Sequence, residues 1–322
     1  VTPAAGTTGF PSVYAALLDA LLKHGVEQEN ARTGHAVLAL YGGFSFCLDL
    51  SSGGLKRTCA RASALEDSLS NDGSFESVDS GLLPVPGCRR VYPATAAAEV
   101  AWFIRGSKDV SWLRKHAPVW DKFVEADGVT VEAAYGYRWR SHFGRDQLSL
   151  AVDALVRDPS DRQVLVCAWD PGSDALGAPV KKNVPCPAFF HLSVFNLKGG
   201  RRMVQLCLFI RSSDVFVGLP YDVMGYALLA DAVAAELSER TGALHRAGAL
   251  VVTLAHPHLY DSHWIMARRA RLEAPVETLV PLPGHSISSI ERDPDGYVAL
   301  VKSLACLDTR QPDLSVRPEV IE

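Results

Sequence analysis

The chain has 322 residues, 48% of them hydrophobic and 21% charged, enough to bury a large core in one or two domains. A net charge of −4 removes the electrostatic case for nucleic-acid binding, and no apolar run reaches membrane-spanning length. Seven cysteines, an odd number without any CxxC, suit a reducing compartment and speak against a disulfide framework or a zinc site.

The first six residues lack a basic stretch followed by an apolar one, so the expected location is cytoplasmic. Apolar residues at helical spacing (Val13, Ala16, Leu17, Ala20, Leu21, Leu22) predict an opening helix over 11–23. Residues 31–34 read as a turn, and 36–50 as a pair of strands around Gly42 and Gly43. Residues 51–87 are rich in Ser, Gly, Asp and Asn, which predicts a long surface excursion with one short helix near 60–69. Residues 94–105 form a helix with Val100, Phe103 and Ile104 inward, stopped by Gly106. Ser107 is suited to cap a second helix over 108–115. Another helix spans 146–156 and ends at Asp158–Pro159; residues 163–169 read as a buried strand. Residues 185–195 and 203–211 pair as a hairpin across Lys198–Gly199–Gly200. Pro220 opens the longest helix, which reaches about residue 237, and 249–255 is an apolar strand. No repeat is present, and the mixture predicts an α+β fold.

Cys186 stands between Pro185 and Pro187, ahead of Ala188–Phe189–Phe190. Proline fixes φ and restricts the residue before it, so this cysteine is held in a stiff, extended segment. Arg211 ends the next strand-like run. Adjacent strands would bring that cation beside the thiol and favour the thiolate. The other cysteines (47, 59, 88, 167, 207 and 306) read as structural.

These pieces join others in a fixed order: Arg32–Thr33–Gly34, Glu99–Val100–Ala101–Trp102–Phe103, Val119–Trp120–Asp121, and Tyr135–Gly136–Tyr137–Arg138–Trp139–Arg140. Then follow Asp158–Pro159–Ser160–Asp161–Arg162, Pro185–Cys186, Arg211–Ser212–Ser213–Asp214, Gly218–Leu219–Pro220–Tyr221–Asp222 and His258–Leu259–Tyr260. The set, over residues 32–260, resembles the thymidylate synthase superfamily, and within it the (deoxy)cytidylate 5-hydroxymethylases. The resemblance implies a large twisted mixed β-sheet flanked by helices, and a homodimer joined sheet to sheet. Residues 1–322 would form one catalytic domain with an atypical insertion at about 51–87. Cys186 would add to C6 of a pyrimidine ring, and C5 would then attack a one-carbon unit from 5,10-methylenetetrahydrofolate, with no metal. Glu99 would manage water and protons, and Tyr135 would help remove the C5 proton. Arg32, Arg211 and Ser212 would hold the 5′-phosphate, with Arg162 arriving from the partner subunit. His258 and Tyr260 would bond the sugar 3′-hydroxyl. Trp120 would stack on folate and Asp214 would bond its pterin. The cluster His256, His258, Asp261 and His263 fits no strong zinc spacing.

Departures from the pattern carry further expectations. Asp222 stands where uracil-using members have asparagine, whose amide matches O4 and N3–H. A carboxylate repels O4, suits the N4 amino group of cytosine, and can share a proton at N3. Pro187 replaces a histidine near the O4 side, Phe123 a tryptophan near folate, and Gln163 a second phosphate arginine. The tail, 313–322, lacks the segment that closes over folate in methylating members, so water would reach the ring and yield a hydroxymethyl group. The expected substrate is dCMP, with CMP second. Methylation of the same nucleotide, thymidylate synthesis and a non-catalytic nucleotide-binding paralogue stay open as alternatives, as does a bacterial or phage source.

Overall fold

Backbone pairing sorts the strands into two mixed sheets that share one line of bends. The computed structural model describes residues 9–31, 33–51, 81–174, 176–177, 181–273, 276 and 280–306. The chain opens with α1 (Phe10–His24), started by Pro11 and buried along Val13, Tyr14, Leu17, Leu18 and Leu21. Strands β1 (Val26–Asn30), β2 (His35–Ala39) and β3 (Phe44–Asp49) follow. Then come α2 (Pro93–Ile104), a short α3 (Tyr135–Tyr137), α4 (Gln147–Arg157), β4 (Leu165–Cys167), β5 (Pro187–Asn196), β6 (Arg202–Ile210) and β7 (Ser213–Asp214). The long α5 (Gly218–Thr241), β8 (His245–Leu254), β9 (Pro257–Tyr260), α6 (Trp264–Leu272), α7 (Ile287–Arg292) and α8 (Pro294–Cys306) complete the described part.

The expectation of one large sheet is corrected to two. The larger runs β3-β8-β6-β5-β4 and the smaller β1-β2-β9-β7. Both contain one parallel pair, β6 with β8 and β7 with β9. Three chain segments cross from one sheet to the other: β2 to β3 through Gly42–Gly43, β6 to β7 through Arg211–Ser212, and β8 to β9 through Ala255–His256. Hydrogen bonds stitch the crease itself: Leu40 N to Pro257 O (3.2 Å), Ala255 N to Ile210 O (2.9 Å) and Ser213 N to His256 O (3.1 Å).

On the larger sheet one face is fully buried through Phe190, Leu192, Leu206, Leu208, Leu250 and Val252. Helix α5 covers it and packs on β6 and β8. That helix is apolar almost all round, which suits a helix in the middle of a core. Helix α2 is similar and is sandwiched between α5 and α8. The opposite face of the sheet holds the half-buried Phe189 and Phe209, stacked at 5.2 Å, with Cys207 and Val251 beside them.

Several expected elements change. No helix covers 108–115: Asp109 bridges to Thr130, and Ser107 Oγ accepts from Asp109 N (3.0 Å) instead of capping. Only Leu113–Lys115 closes as a helical turn. The buried strand at 163–169 shrinks to β4, whose Leu165 is 49% exposed at the sheet edge. The excursion ends earlier than 87, since Leu83 and Val85 belong to the core. Its helix near 60–69 lies outside the described residues, as does the tail at 313–322. The strands around Gly42–Gly43 are present but lie in different sheets.

Gly43 is the residue the crease tolerates least change at. Its φ is +69°, and an added Cβ would stand 2.6 Å from Leu254 O. Gly42 has φ +89° with open space around it. Gly43→Ala is therefore expected to lose about 2–3 kcal/mol of stability, against about 1 kcal/mol for Gly42→Ala, in urea unfolding. Equal losses would show that the close approach to Leu254 has no weight.

Candidate active site

A cavity of about 870 Å³ opens at the crease, walled by the smaller sheet, the segments that lead into β5 and out of β6, α2 and the start of α5. Of the residues singled out from the sequence it is lined by Cys186, Glu99, Tyr135, Asp222, Arg211, Ser212, His258, Tyr260, Trp120, Asp214 and Phe123. Arg32 lies outside the described residues. Arg162 is exposed beside β4 and does not line the cavity of its own chain; its carbonyl takes a hydrogen bond from His191 Nε2 (3.1 Å).

Cys186 sits at the mouth of β5, where prolines on either side keep the backbone extended. Arg211 N donates to Cys186 O (3.0 Å). The Arg211 side chain reaches the same segment, with Nε donating to Pro185 O (2.9 Å) and Nη2 to Val184 O (3.3 Å). Its guanidinium also lies 5.0 Å over the Trp169 ring. Arg211 thus clamps the backbone in front of the cysteine, and Nη1 makes no hydrogen bond to the described residues.

Glu99 is the one acid on α2, and Trp120 Nε1 donates to its Oε1 (2.7 Å). Trp120 is only 7% exposed and meets Trp102, Phe103, Phe123 and Tyr135 at ring distances of 5.0–5.9 Å. The indole therefore does two things: it walls the cavity and it fixes a carboxyl. Burial pushes Glu99 up to about 7, against the pull of the Trp120 hydrogen bond. Asp222 stands near the start of α5. Burial, with the negative charges of Glu99 and Asp214 behind it, pushes this carboxyl up to about 8. Tyr135 is raised well above the ordinary phenol range by burial, then by Cys186, Asp222 and Tyr226, and it shares a hydrogen bond with the Cys186 backbone. Asp214 Oδ1 accepts from Phe216 N (3.0 Å) and Val217 N (3.1 Å), which fixes the approach to α5.

Three further residues join the site without having been singled out. Tyr226 lines the cavity and is raised by burial, Asp222 and Cys186. It lies one helical turn after Asp222, so helical spacing could have found it. Trp169 stacks under Arg211, a contact no local pattern announces. Arg89 is 4% exposed, lines the cavity and pairs with no carboxylate among the described residues. It meets Arg90 O (3.1 Å), the Phe216 ring (5.1 Å) and the Tyr14 hydroxyl. The histidine-rich segment is held by a local bond, His258 Nδ1 to His256 O (3.2 Å), and by a long-range one to the start of β2, His35 Nδ1 to Asp261 Oδ1 (3.0 Å).

Residues 12–289 match the family model described as thymidylate synthase. The match covers most of the chain, and the protein belongs to that family. Its members carry out folate-dependent one-carbon transfer to a pyrimidine nucleotide, with methylenetetrahydrofolate as donor.

The two raised acids tie stability to pH. Between about pH 4 and 8 the native protein holds a proton on Asp222 that the unfolded chain has released, so this contribution is full below pH 4 and is lost as pH rises through about 8. In melting of ligand-free protein, Asp222→Asn is expected to raise the melting temperature clearly at pH 8.5 and little at pH 5. A gap independent of pH would contradict the shift.

Proposed function

We propose, on the premise of that family membership, that the protein is a folate-dependent 5-hydroxymethylase of a cytosine nucleotide, dCMP first and CMP second. The observation that carries the reading is Asp222, a carboxyl on the cavity wall whose proton is held to about pH 8. A protonated carboxyl offers one donor and one acceptor side by side. Cytosine offers the match, N3 as acceptor and the N4 amino group as donor.

The chemistry follows from the same pairing. The Cys186 thiolate forms a bond to C6. The electron pair of C5=C6 shifts toward C4, and that of C4=N3 onto N3, which takes the Asp222 proton. The carboxylate then accepts from N3–H and N4–H together, a charge-assisted pair. A protonated carboxyl can also meet uracil through N3–H and O4, so the base is selected once the acid has ionised: N3–H and N4–H of cytosine both donate to the carboxylate, whereas uracil sets O4 lone pairs against it, a mispairing that costs about 1–3 kcal/mol per group. Arg211 keeps the cysteine segment in place and brings positive charge to the thiolate. Methylenetetrahydrofolate, when bound, supplies the one-carbon unit to C5.

The cavity fits such a co-substrate. Trp120, Phe103 and Phe123 offer an aromatic wall to a flat ring, and Arg89, which meets no carboxylate among the described residues, suits an anionic tail. Glu99, with a pKa of about 7, is the group suited to move the C5 proton through water and then to orient the water that adds to the exocyclic carbon. Tyr135 keeps its own proton and serves to hold that water. Phe123 in place of tryptophan supports a wetter folate side and hence hydroxymethylation over methylation.

Two features of the reading reach beyond one site. Residues 1–322 act as one catalytic domain, and two copies pair through the half-buried face that holds Phe189, Cys207, Phe209 and Val251. Arg162 lies at the edge of that face, exposed and free to reach the partner's phosphate site. His258 and Tyr260 bind the sugar 3′-hydroxyl, and Ser212, Arg211 and Arg32 the phosphate.

The test is a panel of dCMP, CMP and dUMP with methylenetetrahydrofolate, read by product mass. The expected gain on the cytosine nucleotides is CH2O, with folate leaving as tetrahydrofolate. A gain of CH2 with dihydrofolate would replace hydroxymethylation by methylation. Asp222→Asn is expected to reverse the base preference toward dUMP by at least about tenfold in kcat/KM. Unchanged preference in that variant would overturn the base assignment. Cys186→Ala is expected to abolish tritium release from C5-labelled substrate. For the parent protein, kcat/KM on dCMP is expected to fall as pH rises through about 8, because the active acid is the protonated one.

A further inference from the structure

We propose that His256 is a phosphate ligand of the nucleotide site. The proposal rests on the reading that a nucleoside 5′-monophosphate fills the cavity, and it adds a contact that the motifs leave unassigned.

His256 is the last residue before β9 and stands on the crease. Two backbone bonds fix what faces it. Ala255 N donates to Ile210 O (2.9 Å) and Ser213 N donates to His256 O (3.1 Å). Between those two bonds the neighbouring segment has only Arg211 and Ser212. The register therefore sets His256 opposite the pair expected to hold the phosphate, and all three residues line the cavity. Its neighbours Pro257 and His258 are buried, whereas His256 is exposed, so a ligand can reach the ring.

The ring is also oriented. Its Nε2 lies 3.3 Å from Gln28 Oε1, an atom that only accepts, so Nε2 carries a hydrogen. Nδ1 makes no hydrogen bond to the described residues and is open to a ligand. An imidazole with hydrogens on both nitrogens can donate from Nδ1 to a phosphate oxygen while Nε2 keeps its bond to Gln28. The ring sits 5.6 Å from that of His258, between the expected phosphate ligands and the expected sugar contacts.

Charge accounting points the same way. Arg211 commits Nε and Nη2 to the carbonyls of Pro185 and Val184. Gln163 brings no charge where the resemblance has a second arginine. Asp214, the acid on the adjoining strand, has Oδ1 occupied by the N–H groups of Phe216 and Val217. A dianion at this end gains from one more donor, and a hydrogen bond from an ionised group to phosphate is among the strong ones.

The experiment compares binding of dCMP, CMP and dUMP with that of deoxycytidine, cytidine and deoxyuridine, by calorimetry on the full-length protein. The quantity read is the ratio of nucleoside to monophosphate Kd for each base. His256→Asn is expected to lower this ratio by about tenfold and leave nucleoside binding unchanged. His256→Arg, which supplies a fixed cation, is expected to keep or raise it. Melting curves confirm that both variants fold, and inorganic phosphate serves as a base-free probe: it should stabilise the parent protein more than His256→Asn. Equal weakening of nucleoside and monophosphate, or an unchanged ratio, overturns the proposal. Because the ratio is taken within each base, a preference for uracil would refute the assignment of Asp222 without touching this result.

Discussion

The whole arrangement depends on the crease between the two sheets. Three segments bend there together, held by backbone hydrogen bonds that cross the bend. One of them delivers Arg211 and Ser212, another His256 and His258, and the third needs Gly43 so that Leu254 O can come close. Cys186 enters the same line because Arg211 bonds its carbonyl and the two carbonyls before it. A continuous sheet would carry these residues along one surface. The bend turns that surface into a wall, and α2 and α5 close the opposite side.

What the wall encloses is electrostatically costly. Two carboxyls, Glu99 and Asp222, share a cavity with the buried Tyr135 and Tyr226; burial raises both, and the charges of Glu99 and Asp214 raise Asp222 further. The ligand-free protein relieves the cost by keeping protons on them near neutrality. A ligand edge that can take a proton from Asp222 and donate back to it turns that cost into recognition. This links the position of one acid on α5 to the choice of base, and through the proton to the activation of C6. Glu99 is steadied by the Trp120 indole, so the group that moves protons and the ring that faces folate are one unit.

Much of the site could be read in the sequence, because its residues sit in short motifs whose chemistry is specific: Pro185–Cys186, Arg211 to Asp214, and Gly218 to Asp222. Helices α1, α2, α4 and α5 and the β5–β6 hairpin were equally legible from spacing and punctuation. The division into two sheets was not, since the bends fall inside motifs and leave no signal beyond Gly42–Gly43. Strand β1 was invisible because Val26 is its only apolar residue. The helix expected after Ser107 failed to a competing bridge between Asp109 and Thr130, a partner 21 residues away that local propensity cannot see. Tyr226 was within reach of helical periodicity, whereas Trp169 and Arg89 take their roles from tertiary neighbours alone.

The most direct measurement is the 15N resonance of N3 in labelled dCMP bound to the protein. The account predicts a shift toward the protonated or strongly hydrogen-bonded nitrogen, and its loss in Asp222→Asn. An N3 resonance equal to that of free neutral dCMP, with the nucleotide fully bound, would contradict the pairing on which the base assignment stands.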